Sequence, residues 1–194
     1  CPHMTENFRR VGFGVDVRPL VQALIREENL WSDVTLRQDF QGSPHKDTEC
    51  IFLRWCSDHS LASAFTDLEA DDYPALQRLP EFRSAIGYVV GEVEGRKLGR
   101  AIVTKLKPHG VIDLHSDEGV YADHFERFHF VLQSTADTAF HCGPDVAHMM
   151  PGELWWFDHK REHMVVNDSD CPRIHLIVDV VAPQYRRERH AISA

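Results

Sequence analysis

The stretch GVIDLHSDEGVYADHFERFHF, from Gly110 to Phe130, has the apolar residues of β-strands but carries Asp113, His115, Asp117, His124, Arg127 and His129 among them. Charges drawn into a strand-lined interior are costly without partners, so these side chains need something to satisfy them. His115 and Asp117 stand two apart. On a strand running into a turn, that spacing sends one imidazole and one carboxylate to the same side. His163 follows 48 residues after His115. Two histidines and a carboxylate on one side of an ion leave three positions open, the arrangement used by non-haem Fe(II) oxygenases. Arg127 and His129 are again two apart, and Arg173 stands ten residues beyond His163 in the apolar run RIHLIVDV. The fork of an arginine matches a carboxylate bidentately. A keto acid chelating the metal through its 2-oxo and 1-carboxylate groups would find in Arg173 a cation for its far carboxylate.

Each feature also has a plainer explanation. His-x-Asp can be a local hydrogen bond, Arg173 can pair with Asp179, and Trp155 and Trp156 can be packing. The joint order favours the site: His-x-Asp, Arg-x-His, Gly-Glu-Leu-Trp, His, then Arg, all on short strands.

Those strands must be supplied by the second half of the chain. RAIVTKLKPHG, VIDLH, RFHFVLQS, TAFHC, GELWWFD, HMVVN and RIHLIVDVV are seven short runs rich in Val, Ile and Phe, separated by Gly, Pro, Asp and Asn. The pattern predicts a sandwich or barrel. The first half reads as mixed. VRPLVQALIREENLW places Leu20, Val21, Leu24, Ile25 and Leu30 at helical spacing. VTLRQDF and CIFLRW read as strands joined by a polar loop, DLEADDYPALQRLPE as loop and turns, and about 80–93 as a helix. The expectation is one domain over 4–194. Residues 4–98 would buttress a β-core over about 99–182, and the opening CPH would be a leading remnant before Met4.

Composition narrows the function classes. The 194 residues carry a formal net charge of -9, with 43% hydrophobic and 26% charged residues. An acidic balance argues against general nucleic-acid binding and against an electrostatic membrane anchor. No apolar run approaches the roughly 20 residues of a membrane span, and no signal peptide opens the sequence. The five cysteines form no Cys-x-x-Cys pair. A reducing, cytoplasmic setting is the expectation.

From about Ala101 to Val181 the sequence resembles the aspartyl/asparaginyl β-hydroxylase family of Fe(II)- and 2-oxoglutarate-dependent oxygenases, which includes bacterial proline cis-hydroxylases. The resemblance is carried by KPHGVIDLHSD, ERFHFVL and above all PGELWWFDHKREHMVVNDSDCPRIHLIVDVV. It implies a mainly β fold with flanking helices, a double-stranded β-helix of the cupin-like jelly-roll type. It implies His115 and His163 as iron ligands, with Arg173 holding the distal carboxylate of 2-oxoglutarate and Arg127 and His129 as further 2-oxoglutarate contacts. Animal aspartyl hydroxylases have glycine in place of the metal carboxylate. Asp117 therefore resembles the proline-hydroxylase-like branch that keeps the full triad, and it speaks against halogenation.

The reading is an enzyme that uses Fe(II), 2-oxoglutarate and O2 to hydroxylate an unactivated carbon of an amino acid or peptide-like substrate, with succinate and CO2 as coproducts. A metal-dependent cupin enzyme without a keto acid and a non-catalytic cupin-fold binding protein stay as alternatives. Arg127 and Arg173 disfavour the first, and the complete ligand set disfavours the second. An amino-acid substrate brings charges that need partners. His45, in the loop before the strand CIFLRW, and Arg54, on that strand, are the expected ones.

Overall fold

A computed structural model describes residues 4–35, 42–58 and 60–186. Eleven strands among them form two antiparallel sheets: β1 (Phe8–Gly12), β2 (Thr48–Trp55), β3 (Asp71–Asp72), β4 (Lys97–Leu106), β5 (Val111–His115), β6 (Glu126–Gln133), β7 (Thr138–Cys142), β8 (Asp145–Ala147), β9 (Leu154–Phe157), β10 (His163–Asn167) and β11 (Arg173–Val181). The larger sheet runs β1-β9-β6-β11-β4-β2-β3 and the smaller β5-β10-β7-β8. All pairings are antiparallel. This is the expected double-stranded β-helix, and all seven strands read from the second half are present.

β11 sits at the centre of the larger sheet. Eight of its nine residues are buried. Such a strand reads as a continuous apolar run, because it is covered on both faces. One cover is helical: Leu20 and Leu24 of the helix Arg18–Arg26 and Phe82, Ile86 and Val89 of the helix Glu81–Glu92 pack with Leu176, Val178 and Val180 in the main core. The other cover is the smaller sheet, through a second cluster that includes Ile112, Val131, Phe140, Phe157 and Val165. Cavities that reach the site residues open between the sheets.

The helices Arg18–Arg26 and Glu81–Glu92 fall where the periodicity placed them, although Ile25 is 70% exposed. The buried stripe instead runs Leu20, Ala23, Leu24, because the small Ala23 lets the helix approach the sheet. Of VTLRQDF, residues 36–40 lie outside the described residues. The described part of the first half contributes β1, β2 and β3 to the larger sheet, besides its helices. A five-residue helix, Val120–His124, interrupts the titratable stretch between β5 and β6. Gly119 enters it at φ 95°, where a side chain would be strained and would meet the backbone of Phe65.

Candidate metal and cosubstrate site

His115 ends β5, and His163 opens β10. The antiparallel register sets them directly opposite each other, which brings residues far apart in sequence to a ring separation of 4.3 Å. Asp117 lies two residues past the strand, where its backbone N–H donates to the carbonyl of His159 at 2.9 Å. One ligand atom from each of His115, Asp117 and His163 lies within 4.8 Å of the others.

The donors fit a metal. His115 Nδ1 donates to the Asp113 carbonyl at 2.7 Å, and His163 Nδ1 donates to the Arg161 carbonyl at 2.8 Å. A carbonyl only accepts, so each Nδ1 carries the proton and each Nε2 presents its lone pair. This backbone restraint on tautomer and ring orientation is characteristic of metal-binding histidines. Burial pushes His163 down to about 4, so its imidazole is neutral at ordinary pH. Burial alone would raise the Asp117 carboxyl. The Arg127 guanidinium and the imidazoles of His159, His163 and His115 outweigh it and hold Asp117 well below the usual carboxylate range. It is ionised, as a ligand must be.

Arg127 explains how Asp117 is held. Its Nη1 donates to Asp117 Oδ2 at 2.7 Å, while Nε and Nη2 donate to the two oxygens of Asp179 at 2.9 and 3.1 Å. Asp179 is the direct cross-strand partner of Arg127. Burial disfavours the guanidinium charge, but the two carboxylates more than restore it. Arg127 lines the cavities on both sides of the site, and its fork is committed to these carboxylates.

Asp179 therefore belongs to Arg127, not to Arg173. Arg173 is 2% exposed and, among the described residues, has no carboxylate within 4.0 Å. Its Nη2 donates to His175 Nδ1 at 2.9 Å, and its guanidinium lies 5.6 Å from the centre of the Phe140 ring. Burial alone lowers it to about 9. His129 meets His175 Nδ1 through its own Nδ1 at 3.1 Å. With Arg173 donating to that nitrogen, His175 Nδ1 is the acceptor and His129 Nδ1 the donor. Desolvation first, and the charge of Arg173 second, hold both histidines well below their ordinary value. Arg173, His129 and the buried Thr48 line an inner cavity together with His115 and His163. Thr48 Oγ1 has no hydrogen-bond partner among the described residues. An inner pocket with a buried arginine, a buried hydroxyl and no acid beside them is built for an anion.

The two residues expected from the first half separate. His45 lies with its ring 5.0 Å from that of His115 and lines both cavities. Arg54 does not join them. It pairs with Asp72 and donates to the carbonyls of Ala70 at 2.7 Å and Gly99 at 3.2 Å. A register shift between Phe52 and Arg54 breaks the alternation of β2 there, and a one-residue shift turns a side chain to the other face. Thr48, in the stretch the sequence reading placed toward the iron, lines the inner cavity, whereas Trp55, Arg100 and His175 escaped that reading. For His175 a signal existed: it stands two residues after Arg173 on one strand, hence on the same side.

The family profile described as aspartyl/asparaginyl beta-hydroxylase matches residues 25–183. The chain belongs to this family. An L-proline cis-4-hydroxylase of Rhizobium meliloti (strain 1021) is 29% identical over 83 residues, which are 43% of this chain and 30% of that enzyme. The chain thus aligns with less than a third of that relative's length. Solved structures share the fold. A prolyl hydroxylase from Trichoplax adhaerens, in complex with a fragment of a hypoxia inducible factor, superposes with a TM-score of 0.58 at 10% identity, covering 93% of this chain and 86% of the other. A 2OG-Fe(II) oxygenase family oxidoreductase from Burkholderia pseudomallei gives 0.53 at 13% identity, covering 82% and 77%. No helix among the described residues is long and apolar enough to cross a membrane.

Proposed function

We propose that the protein is an Fe(II)- and 2-oxoglutarate-dependent dioxygenase that hydroxylates an unactivated carbon of an amino acid or peptide-like substrate, giving succinate and CO2. The observation that carries the reading is the His115, Asp117, His163 cluster beside a cavity that His115 and His163 line together with Arg173, which is buried with no carboxylate within 4.0 Å among the described residues. A metal enzyme without a keto acid has no need of a buried arginine lacking an acid. Membership of the family, and the fold shared with 2OG-Fe(II) oxygenases, support the same reading.

His115, Asp117 and His163 would hold the iron, which supplies a Lewis-acidic, redox-active centre for activating O2 against a C–H bond. The chain's own residues do the rest. The carbonyls of Asp113 and Arg161 fix the two imidazoles, and Arg127 fixes the carboxylate. Arg173 and Thr48 receive the distal carboxylate of 2-oxoglutarate, with the guanidinium oriented by His175. His129 lines the same pocket, with its tautomer set by His175, as a further contact for the keto acid. The aromatic rings of Phe140 and Phe157 wall the inner pocket and limit the entry of water.

The test is succinate formation by purified protein supplied with Fe(II), 2-oxoglutarate and O2, with and without a panel of amino acids and peptides. Stimulated succinate release together with a product heavier by one oxygen is the expected result. No succinate from folded, iron-loaded protein across the panel would reject the reading.

A further inference from the structure

Beside the inner pocket a second, roomier cavity of about 310 Å³ opens on Asp117 and His115, against about 30 Å³ inside. Trp55, Phe65, Ile102 and Tyr121 contribute its apolar walls. Two of its lining residues carry buried N–H donors with no acceptor among the described residues: the indole Nε1 of Trp55 and the Nε of Arg100. Trp55 is 8% and Arg100 3% exposed. The two stack, with Arg100 Cζ 4.6 Å from the Trp55 ring centre and 3.6 Å from that of Tyr121 in the helix Val120–His124.

Arg100 has no carboxylate within 4.0 Å among the described residues. Its Nη1 donates to the carbonyl of Ala64 at 2.6 Å, and its Nη2 to those of Ser63 at 3.1 Å and Asp67 at 3.0 Å. Three of the five guanidinium N–H groups are thus used, and the positive charge is left without a counter-ion. Buried donors are nearly always satisfied in folded proteins, and a cluster that is not asks for an acceptor. On the same cavity stands Glu118, an exposed carboxylate that accepts from Ser116 Oγ at 3.3 Å and has no cation within 4.0 Å among the described residues. One wall offers a buried, unmatched cation with spare donors, another a solvent-exposed carboxylate open to a cationic ligand, and aromatic surface lies beside them.

We propose that this cavity is the substrate site and that it selects a free α-amino acid as a zwitterion, the carboxylate taken by Trp55 and Arg100 and the ammonium by Glu118. This deepens the hydroxylase reading and rests on it for the word substrate. It assigns the carboxylate to Arg100 where the sequence pointed to Arg54, and it excludes residues inside a peptide, which lack both charges.

The experiment measures binding apart from turnover. Purified full-length protein, kept anaerobic with Fe(II) and 2-oxoglutarate, is titrated calorimetrically with each of the free L-amino acids. Each binder is then compared with its carboxamide and its N-acetyl form. At least one free acid binds, and its amide binds about 30-fold more weakly or worse, the cost of leaving a buried cation unmatched. Trp55→Phe keeps the ring and removes the donor. Arg100→Met removes the charge but also the struts to residues 63–67. In both variants the acid loses affinity and the amide does not. Glu118→Gln erases the preference for the free amine over the N-acetyl form. The proposal fails if no free amino acid binds to folded protein, if acid and amide bind alike, or if Trp55→Phe leaves the preference for the acid intact. Succinate formation without amino-acid binding would overturn this inference alone. Zwitterion-selective binding without succinate formation would overturn the hydroxylase reading alone.

Discussion

Replacing Arg173 by methionine should leave the unliganded protein as stable as the parent, or more so, while removing its response to 2-oxoglutarate. In the structure the guanidinium is buried, meets His175 and the Phe140 face, has no carboxylate within 4.0 Å among the described residues, and falls from 12.5 to about 9 through desolvation. A displacement of that size corresponds to roughly 5 kcal/mol against the charged form. This is a ceiling on the strain of holding an unmatched charge inside. Methionine has similar length and no charge, so the variant trades that strain for modest packing losses, typically under about 1.5 kcal/mol for well-fitted swaps. A bound dianion would relieve the strain in the parent, so 2-oxoglutarate should raise its melting temperature. Loss of the buried charge pair costs about 2–5 kcal/mol, or about 30- to several-thousand-fold in affinity. The assay is thermal unfolding of parent and Arg173→Met with Fe(II), across 2-oxoglutarate concentrations. If Arg173→Met were destabilised by several kcal/mol without ligand yet still stabilised by 2-oxoglutarate, Arg173 would be a structural residue and the reasoning wrong.

Four further outcomes follow from the same geometry. His175→Leu should raise the 2-oxoglutarate KM while leaving Fe(II) affinity intact, and His175→Asn, which keeps an acceptor for Arg173, should recover part of the loss in steady-state kinetics. Asp179→Asn should weaken metal binding about 10- to 100-fold by equilibrium dialysis, because it frees Arg127 from the position in which it holds Asp117. His163→Ala should abolish both Fe(II) binding and turnover. Acid should destabilise the metal-free fold ahead of the ordinary carboxylate range. His163 falls to about 4 in the fold from 6.5, so the unfolded chain binds the extra proton, and stability present above about pH 6.5 is lost as pH falls toward 4. His163 alone would contribute roughly 3 kcal/mol, with His129 and His175 adding in the same direction, and denaturant midpoints between pH 7.5 and 4.5 would show it.

The residues of the candidate metal site were legible in the sequence because ligand chemistry restricts residue type and strand geometry restricts spacing. His115 and Asp117 are two apart, and the strand runs around His163 and Arg173 are unbroken enough to be read. What joins them was less legible. The meeting of His115 with His163 depends on the register of β5 against β10, and the pairing of Arg127 with Asp179 on that of β6 against β11. Asp179 was weighed as a partner for Arg173, yet the fold gives it to Arg127. Arg54 and Arg100 show the limit most clearly. They lie one residue out of line on paired strands, and Arg54 faces Ala101 across the ladder. The shift after Phe52 gives Arg54 to Asp72, while Arg100 lines the cavity. No periodicity in a strand announces such a slip. The helix Val120–His124 was missed for a simpler reason: five residues are too few to show a helical period.

The central claim is that His115, Asp117 and His163 hold Fe(II) in one site with 2-oxoglutarate anchored by Arg173. Anaerobic addition of 2-oxoglutarate to the Fe(II)-loaded protein, followed by visible absorption, tests it without relying on a substrate. Chelation of Fe(II) by a 2-oxo acid produces a charge-transfer band. That band should appear saturably in the parent, require far more 2-oxoglutarate in Arg173→Met, and be absent in His163→Ala. A parent protein that binds Fe(II) yet develops no such band at saturating 2-oxoglutarate would contradict the account.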